Sequence, residues 1–124
     1  MSKILIVEDN ELNRRLFADL LATKGYSLFE ATDGAQALQL VKKQQPDLVL
    51  MDIQLPTISG LEVTKTIRKM AIKQPKIVAI SAFALKQDAD KALAAGCDDY
   101  ISKPIAIASF FETVAKNLPA PGVK

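Results

Sequence analysis

Short, strongly apolar runs alternate with longer segments of helical spacing along this chain, and that alternation restricts its fold more than any other feature. Strong runs lie at Lys3–Val7, Leu48–Met51 and Ile77–Ile80, and weaker ones at Ser27–Ala31 and Asp99–Ser102. Runs that are apolar without alternation are typical of strands buried on both faces of a parallel sheet. The pattern therefore predicts a chain of parallel strands separated by helices.

The segments between these runs carry apolar residues at helical intervals. They predict helices that contain Leu12, Leu16, Leu20 and Leu21 on one face; Ala37, Leu38 and Val41; Leu61, Val63, Ile67 and Met70; residues 86–95; and residues 107–118. Asn10 suits an N-cap, and Asp33 with Gln36 and Ser59 with Glu62 resemble capping boxes. The order is (βα)5, which predicts an α/β doubly wound parallel sheet with the flavodoxin-like strand order 2-1-3-4-5.

Length and composition limit the domain organisation and the classes of function. The 124 residues suit one domain over residues 1–118, and the Pro-containing segment 119–124 is predicted to be a disordered tail. A net charge of +2 argues against a nucleic-acid binder. One cysteine and no histidine leave no ligand set for structural zinc and favour a reducing, cytoplasmic location. The apolar runs are far shorter than the ~20 residues that span a bilayer, so no membrane insertion is expected.

Four of the predicted strands each carry a polar or charged residue at the same end. Glu8 and Asp9 follow the first strand, Asp52 lies at the end of the third, Ser81 follows the fourth and Lys103 follows the fifth. In open α/β sheets, ligands bind beyond the carboxyl ends of the strands, beside the point where strand order reverses. Each residue alone has a plain explanation, such as a helix cap, a strand-end hydroxyl or a surface lysine. Their joint placement predicts one functional site.

The residue types predict the chemistry of that site. Three crowded carboxylates repel one another unless a cation neutralises them, and oxygen ligands favour Mg²⁺, with Mn²⁺ as the alternative ion. Lys103 adds a second positive charge and Ser81 a hydroxyl, which together suit the oxygens of a phosphoryl group. Asp52 ends the central strand, so we predict that it is the nucleophile and forms an aspartyl phosphate.

The residues that carry this chemistry also resemble a known family. The segments Ile6–Asn10, Leu50–Pro56 with Ser59-Gly60, Ala79–Ala82 and Tyr100–Pro104 resemble the CheY-like receiver domain of two-component response regulators. The resemblance covers the chain apart from its tail. Residues 8–13 and 58–65 are most similar in sequence to single-domain regulators. Receiver domains of hybrid histidine kinases share parts of the same segments.

The resemblance implies a role for each site residue. Asp52 would take a phosphoryl group from a phosphohistidine on a histidine kinase or a histidine phosphotransfer protein. Asp9, Asp52 and the backbone carbonyl of Gln54 would ligate Mg²⁺, and Glu8 would act mainly through metal-bound water. Lys103 would pair with Asp52 and then with a phosphoryl oxygen.

The resemblance also implies a switch that acts on a downstream protein target. Ser81 would bond the phosphoryl group, and the ring of Tyr100 would turn inward as the loop after the fourth strand moves. The output surface would be formed by the fourth helix, the fifth strand and the fifth helix. Pro104 is the residue whose preceding peptide bond is cis in the family. The protein would be a phosphorylatable regulator and not an enzyme acting on a separate substrate.

Two further expectations concern partners and lifetime. Asn13, Leu16 and Phe17 on the first helix, with Pro104, would dock the phosphodonor, although a plain core face also explains the apolar residues. Gln54 and a second residue, Phe83, would border the path of an attacking water, and neither has a carboxylate that could act as a general base. These side chains predict slow autodephosphorylation, with a half-life nearer hours than seconds.

Other functions of the same fold fit the residues less well. An aspartyl-phosphate phosphatase of the haloacid dehalogenase type would have a second aspartate at the position of Gln54 and a cap domain. A flavin or nucleotide carrier would have a Gly-, Ser- or Thr-rich phosphate-binding loop where Glu8, Asp9 and Asn10 lie. A DNA-binding regulator would require a second domain.

Overall fold

A parallel sheet with helices between its strands makes up residues 2–82 and 86–118, the part that this computed structural model describes. The strands are β1 (Lys3–Val7), β2 (Ser27–Ala31), β3 (Leu48–Asp52), β4 (Lys76–Ser81) and β5 (Asp99–Ser102), in the spatial order β2-β1-β3-β4-β5. The helices are α1 (Glu11–Ala22), α2 (Gly34–Gln44), α3 (Gly60–Arg68), α4 (Lys86–Ala95) and α5 (Ile107–Lys116). The predicted doubly wound fold and strand order are therefore confirmed, while the predicted tail and Phe83 lie outside the described residues.

The central strands are buried on both faces, which explains why their sequences do not alternate. Successive side chains of β1 enter opposite core layers: Leu5 and Val7 pack with helices α2 and α3, whereas Ile4 and Ile6 pack with helices α1 and α5. Every residue of β3 is buried. Each layer is apolar, so burial of these strands is the main stabilising contribution to the fold. The sheet thus holds the carboxyl end of β3 at the centre of one edge.

Capping side chains fix where the first three helices begin. Asn10 Oδ1 accepts a hydrogen bond from the Asn13 amide at 2.9 Å, and Asp33 Oδ1 accepts one from the Gln36 amide at 2.9 Å. Ser59 Oγ accepts one from the Glu62 amide at 3.3 Å. These N-caps confirm the predicted helix starts. The second hydrogen bond of the α2 capping box is shifted by one residue. The Gln36 carboxamide oxygen accepts from the amide of Thr32 at 2.9 Å, and not from the amide of the N-cap residue, Asp33.

Three predicted boundaries were wrong by one or two residues. Helix α3 ends at Arg68, so Met70 lies beyond it, and α5 ends at Lys116 and not at residue 118. Ser81 is the last residue of β4 and does not follow it. Helix and strand ends depend on individual hydrogen bonds, which apolar periodicity does not encode.

The buried face of α1 differs from the predicted leucine face. Phe17 and Leu21 are the buried residues of this helix, while Leu12 is 79% exposed and Leu16 is 42% exposed. Of the four leucines that share the predicted helical row, Leu21 is thus the fully buried one. Within the described ranges, no helix has the length and apolar character needed to cross a membrane.

Candidate functional site

The carboxyl edge of the sheet brings the predicted site residues together. Glu8 and Asp9 follow β1, Asp52 ends β3, Ser81 ends β4 and Lys103 follows β5. One carboxylate oxygen from each of the three acids lies within 4.8 Å of the others. Glu8, Asp52 and Ser81 are buried, whereas Asp9 is exposed. The site is therefore an acidic cluster with a buried floor and one solvent-facing carboxylate.

Lys103 reaches into this cluster and pairs with two of its acids. Its ammonium Nζ lies 2.9 Å from Glu8 Oε1 and 3.4 Å from Asp52 Oδ2. Its backbone amide donates to the Ser81 carbonyl at 2.7 Å, which holds the start of the β5–α5 connection against the end of β4. The resemblance implied a pairing with Asp52 alone. The structure adds Glu8, at the shorter of the two distances.

Glu8 is the electrostatically perturbed group of the cluster. The pKa of its carboxyl is raised to about 7, mainly by burial and then by the neighbouring Asp52 carboxylate, while Lys103 and the Asn10 amide oppose the shift. Oε2 accepts from the Asn10 amide at 3.1 Å. Oε1 is buried, and although it lies beside the Lys103 ammonium, no described group forms a hydrogen bond of good geometry with it. The cluster thus carries more negative charge than one lysine neutralises.

The loop after β3 holds the Asp52 carboxylate in place. Asp52 Oδ1 accepts a hydrogen bond from the Gln54 amide at 3.0 Å, and the Gly60 amide donates to the Ile53 carbonyl at 2.8 Å. The Gln54 carboxamide lies 3.5 Å from the Ala82 amide, so it connects this loop with the residue after Ser81. Both Asp52 oxygens therefore have partners, one from the backbone and one from Lys103.

The donor set fits a hard divalent cation. Mg²⁺ binds through one or two carboxylates together with other oxygens, and the cluster offers carboxylate oxygens from Glu8, Asp9 and Asp52. Three carboxylates share one lysine here, and the Asp52 carboxylate helps to raise the pKa of Glu8, so the cluster carries negative charge that Lys103 alone does not balance. The carboxylates of Glu8, Asp9 and Asp52 are therefore the groups of this cluster that could hold such an ion.

Beside the acidic cluster lies an open apolar groove of about 470 Å³. It is lined by Asn13, Leu16, Phe17, Ala82, Lys103, Pro104 and Ile105. The structure thus places all four residues predicted to dock a phosphodonor along one groove, and the Lys103–Pro104 peptide bond is cis, as the resemblance implied. Phe17 is only 2% exposed and stacks on Phe110, so its ring forms the floor of the groove.

The predicted switch residues occupy neighbouring strands. Ser81 is 1% exposed at the end of β4, and Tyr100 on β5 is half-buried and packs against the core. The strand register pairs Ser81 with Ser102 and Ala79 with Tyr100. Ser81 and Tyr100 therefore lie two positions apart along the β4–β5 ladder.

One residue that contacts the site was missed by the sequence analysis. Arg14 on α1 donates from Nη1 to the Glu8 carbonyl at 3.0 Å and from Nε to Glu30 Oε1 at 3.1 Å. Its spacing from the acidic residues matches no ligand or catalytic motif. Because one partner is a backbone carbonyl, no residue pairing in the sequence could have indicated this contact.

Known sequences match this chain over most of its length. The sequence model described as the response regulator receiver domain matches residues 4–115. The polar-differentiation response regulator DivK of Brucella anthropi is 46% identical over 116 residues, which cover 93% of this chain and 94% of that protein. This similarity agrees with the likeness to single-domain regulators in residues 8–13 and 58–65.

Two solved structures share the fold. The receiver domain of the sensor histidine kinase PA1611 from Pseudomonas aeruginosa, with magnesium coordinated in its active-site cleft, has a TM-score of 0.83 and 34% identity, covering 93% of this chain and 95% of that chain. The receiver domain of Ssk1 from Saccharomyces cerevisiae, in complex with the histidine phosphotransfer protein Ypd1, has a TM-score of 0.85 and 31% identity, covering 93% of this chain and 87% of that chain.

Proposed function

This chain belongs to the response regulator receiver domain family, and on that premise we propose that it is a phosphoacceptor switch that takes a phosphoryl group from a phosphohistidine onto Asp52. The observation that carries the proposal is the position of Asp52, buried within 3.4 Å of the Lys103 ammonium and in one cluster with Glu8 and Asp9. An aspartate with only a local role in a loop would not be expected to lie beside both a lysine that follows a different strand and two further acids.

The side chains divide the transfer among them. A carboxylate oxygen of Asp52 attacks phosphorus, the bond from phosphorus to the histidine nitrogen breaks, and the imidazole keeps the electron pair. The Lys103 ammonium and the Ser81 hydroxyl stabilise the charge that gathers on the transferred oxygens. When bound, Mg²⁺ supplies positive charge beside those oxygens, held by Asp9, Asp52 and the Gln54 carbonyl.

Phosphorylation then changes the surface built by α4, β5 and α5. The phosphoryl group adds about −1.5 to −2 charges within a site that already pairs Lys103 with two acids. Ser81 would move toward it, and the ladder between β4 and β5 would carry the change to Tyr100. A downstream protein that binds the altered surface would read the signal.

The partner that delivers the phosphoryl group would dock in the groove beside the site. Its lining combines Asn13 and Leu16 of α1 with Pro104, and it opens beside Lys103. The receiver domain of Ssk1 forms a complex with a histidine phosphotransfer protein, which supports a partner of the same kind here.

We place this exchange in the cytoplasm, since the single cysteine, Cys97, is free and buried.

The proposal is tested by the metal dependence of phosphorylation. Incubation with acetyl phosphate and Mg²⁺ should add the mass of one phosphoryl group, measured by intact-protein mass spectrometry. Chelation with EDTA should abolish the gain, because the repulsion among Glu8, Asp9 and Asp52 is then unrelieved. Restoring Mg²⁺ or Mn²⁺ should restore it. A full mass gain in EDTA would contradict the proposed role of the cation.

The docking groove is tested with Leu16→Ala. Leu16 is 42% exposed on the groove, so its removal should lower the rate of transfer from a phosphorylated histidine phosphotransfer protein by about fivefold or more. Acetyl phosphate makes no such contact, and phosphorylation by it should be unchanged. Leu93→Ala, at a 52% exposed leucine on α4, is the matched control. Equal transfer to all three proteins would exclude Leu16 from the docking surface. Phe17→Ala is unsuitable because it would open a core cavity.

We also propose that the phosphorylated state decays slowly. Gln54 is exposed beside Asp52 and offers a carboxamide, which cannot take a proton from water as a carboxylate can. After removal of acetyl phosphate, the phosphorylated fraction in Mg²⁺ buffer should persist for hours when followed by mass spectrometry. Loss within seconds, with no phosphatase present, would contradict this expectation.

A further inference from the structure

Arg14 connects three elements at the point where the chain leaves β1. Its guanidinium donates from Nη1 to the Glu8 carbonyl at 3.0 Å and from Nε to Glu30 Oε1 on β2 at 3.1 Å. The side chain is 18% exposed, so water competes only partly for these bonds. Arg14 therefore joins α1 to the ends of β1 and β2.

The Glu8 carbonyl belongs to the peptide group that leads into Asp9. The same segment is fixed on its other side, because the Glu8 amide donates to the Ala31 carbonyl at 3.0 Å and Glu8 Oε2 accepts from the Asn10 amide at 3.1 Å. With the carbonyl held by Arg14, the backbone on both sides of Glu8 has a defined orientation. Asp9 is exposed, and its carboxylate takes its position from this backbone.

We propose that Arg14 is a positioning residue for the cation site, acting through the Glu8 carbonyl to present the Asp9 carboxylate beside Asp52. The inference rests on the proposed Mg²⁺ site. Groups that orient ligands are typically worth 10–100-fold in metal affinity. The guanidinium suits the role because its planar fork can bond a carbonyl and a carboxylate at once, whereas an ammonium is a point charge.

A purely electrostatic role for Arg14 makes the opposite prediction. A cation near an acidic cluster repels a second cation, so removal of its charge would strengthen Mg²⁺ binding. Removal of a positioning contact would weaken it. The sign of the change in Mg²⁺ affinity therefore separates the two roles.

The test is calorimetric titration with Mg²⁺ alone, on wild type, Arg14→Gln, Arg15→Gln and Glu30→Gln. Arg14→Gln should bind Mg²⁺ roughly tenfold more weakly than wild type. Arg15 is the matched control, because it is an exposed neighbour with no hydrogen bond to β1, and its substitution should change affinity by less than about twofold. Glu30→Gln keeps an oxygen that accepts from Arg14 Nε and should bind like wild type.

Each result distinguishes this inference from the proposed function. If wild type itself binds no Mg²⁺, the cation site fails before any variant is considered. If wild type binds and Arg14→Gln binds equally or more tightly, the positioning role is wrong while the cation site stands. A loss of Mg²⁺ affinity in Glu30→Gln as large as that in Arg14→Gln would also overturn the positioning role, since the ion pair would then be responsible.

Melting curves in EDTA show whether each variant is folded. If Arg14→Gln is unfolded, Arg14→Lys replaces it and should still bind Mg²⁺ more weakly than wild type.

Discussion

Asp52→Asn should abolish phosphorylation by acetyl phosphate and by a phosphohistidine donor while leaving the protein folded. The carboxamide has no anionic oxygen to attack phosphorus, and no other acid in the cluster takes the central position of Asp52 at the end of β3. Intact-protein mass spectrometry should show the full mass gain in wild type and none in the variant. Asp90→Asn, at an exposed aspartate of α4, is the matched control and should be phosphorylated like wild type.

This variant should stay folded because the Asp52 carboxylate repels the neighbouring Glu8 carboxylate as well as pairing with the Lys103 ammonium. Lys103 keeps its closer partner, Glu8 Oε1 at 2.9 Å, and the carboxylate of Asp52 helps to raise the pKa of Glu8. Neutralising position 52 removes that repulsion, so the melting temperature should not fall. A mass gain that persists in folded Asp52→Asn would place the phosphoryl group elsewhere and refute the proposed function.

Gly60→Ala should destabilise the protein strongly and disturb the site. A methyl group at residue 60 would clash with the backbone carbonyl oxygen of Asp52 and would lie 2.9 Å from both the Asp52 carbonyl carbon and Ile53 Cα. These are main-chain atoms of the last residue of β3 and of the residue that follows it, and they cannot yield as a flexible side chain does. Overpacking of this kind costs roughly 3 kcal/mol, near the upper end of its usual range. For a domain of this size, that lowers the melting temperature by roughly 10 °C or more.

Gly25→Ala separates this steric effect from the general cost of replacing a glycine. Gly25 has a φ of +80°, but an added methyl group would meet nothing within 4 Å. Its substitution should cost only the conformational strain of a left-handed residue, about 1 kcal/mol. Thermal unfolding of both variants gives the comparison. Equal melting temperatures would show that the start of α3 can move away from β3 without cost.

Much of the fold was predictable because its determinants are local. Buried parallel strands require continuous apolar runs, and helices require apolar spacing and capping residues such as Asn10 and Asp33. Once the strand order follows from the βαβ connections, the carboxyl ends of β1, β3, β4 and β5 must share one edge. The convergence of Asp9, Asp52 and Lys103 is a consequence of that topology.

The errors came from properties that depend on partners far away in the sequence. The leucines of α1 were predicted to share one helical face, and the structure shows which residues of the helix are buried, namely Phe17 and Leu21, while Leu12 is left exposed. Helical spacing predicts which side chains share a face of the helix. Which of these faces packs against the sheet depends on the rotation of the helix about its own axis. The ends of α3 and α5 were misplaced because single terminal hydrogen bonds decide them.

The sequence by itself determined the order of strands and helices, the edge of the sheet at which the polar residues meet and the types of side chain gathered there, since these follow from periodicity and chain connection. Only the tertiary structure decided that Lys103 lies closer to Glu8 than to Asp52, that burial raises the pKa of Glu8 to about 7, and that Arg14 holds the Glu8 carbonyl. These features depend on distances of a few ångströms and on exclusion of water. Packing among residues distant in the chain sets both, and no local pattern records them.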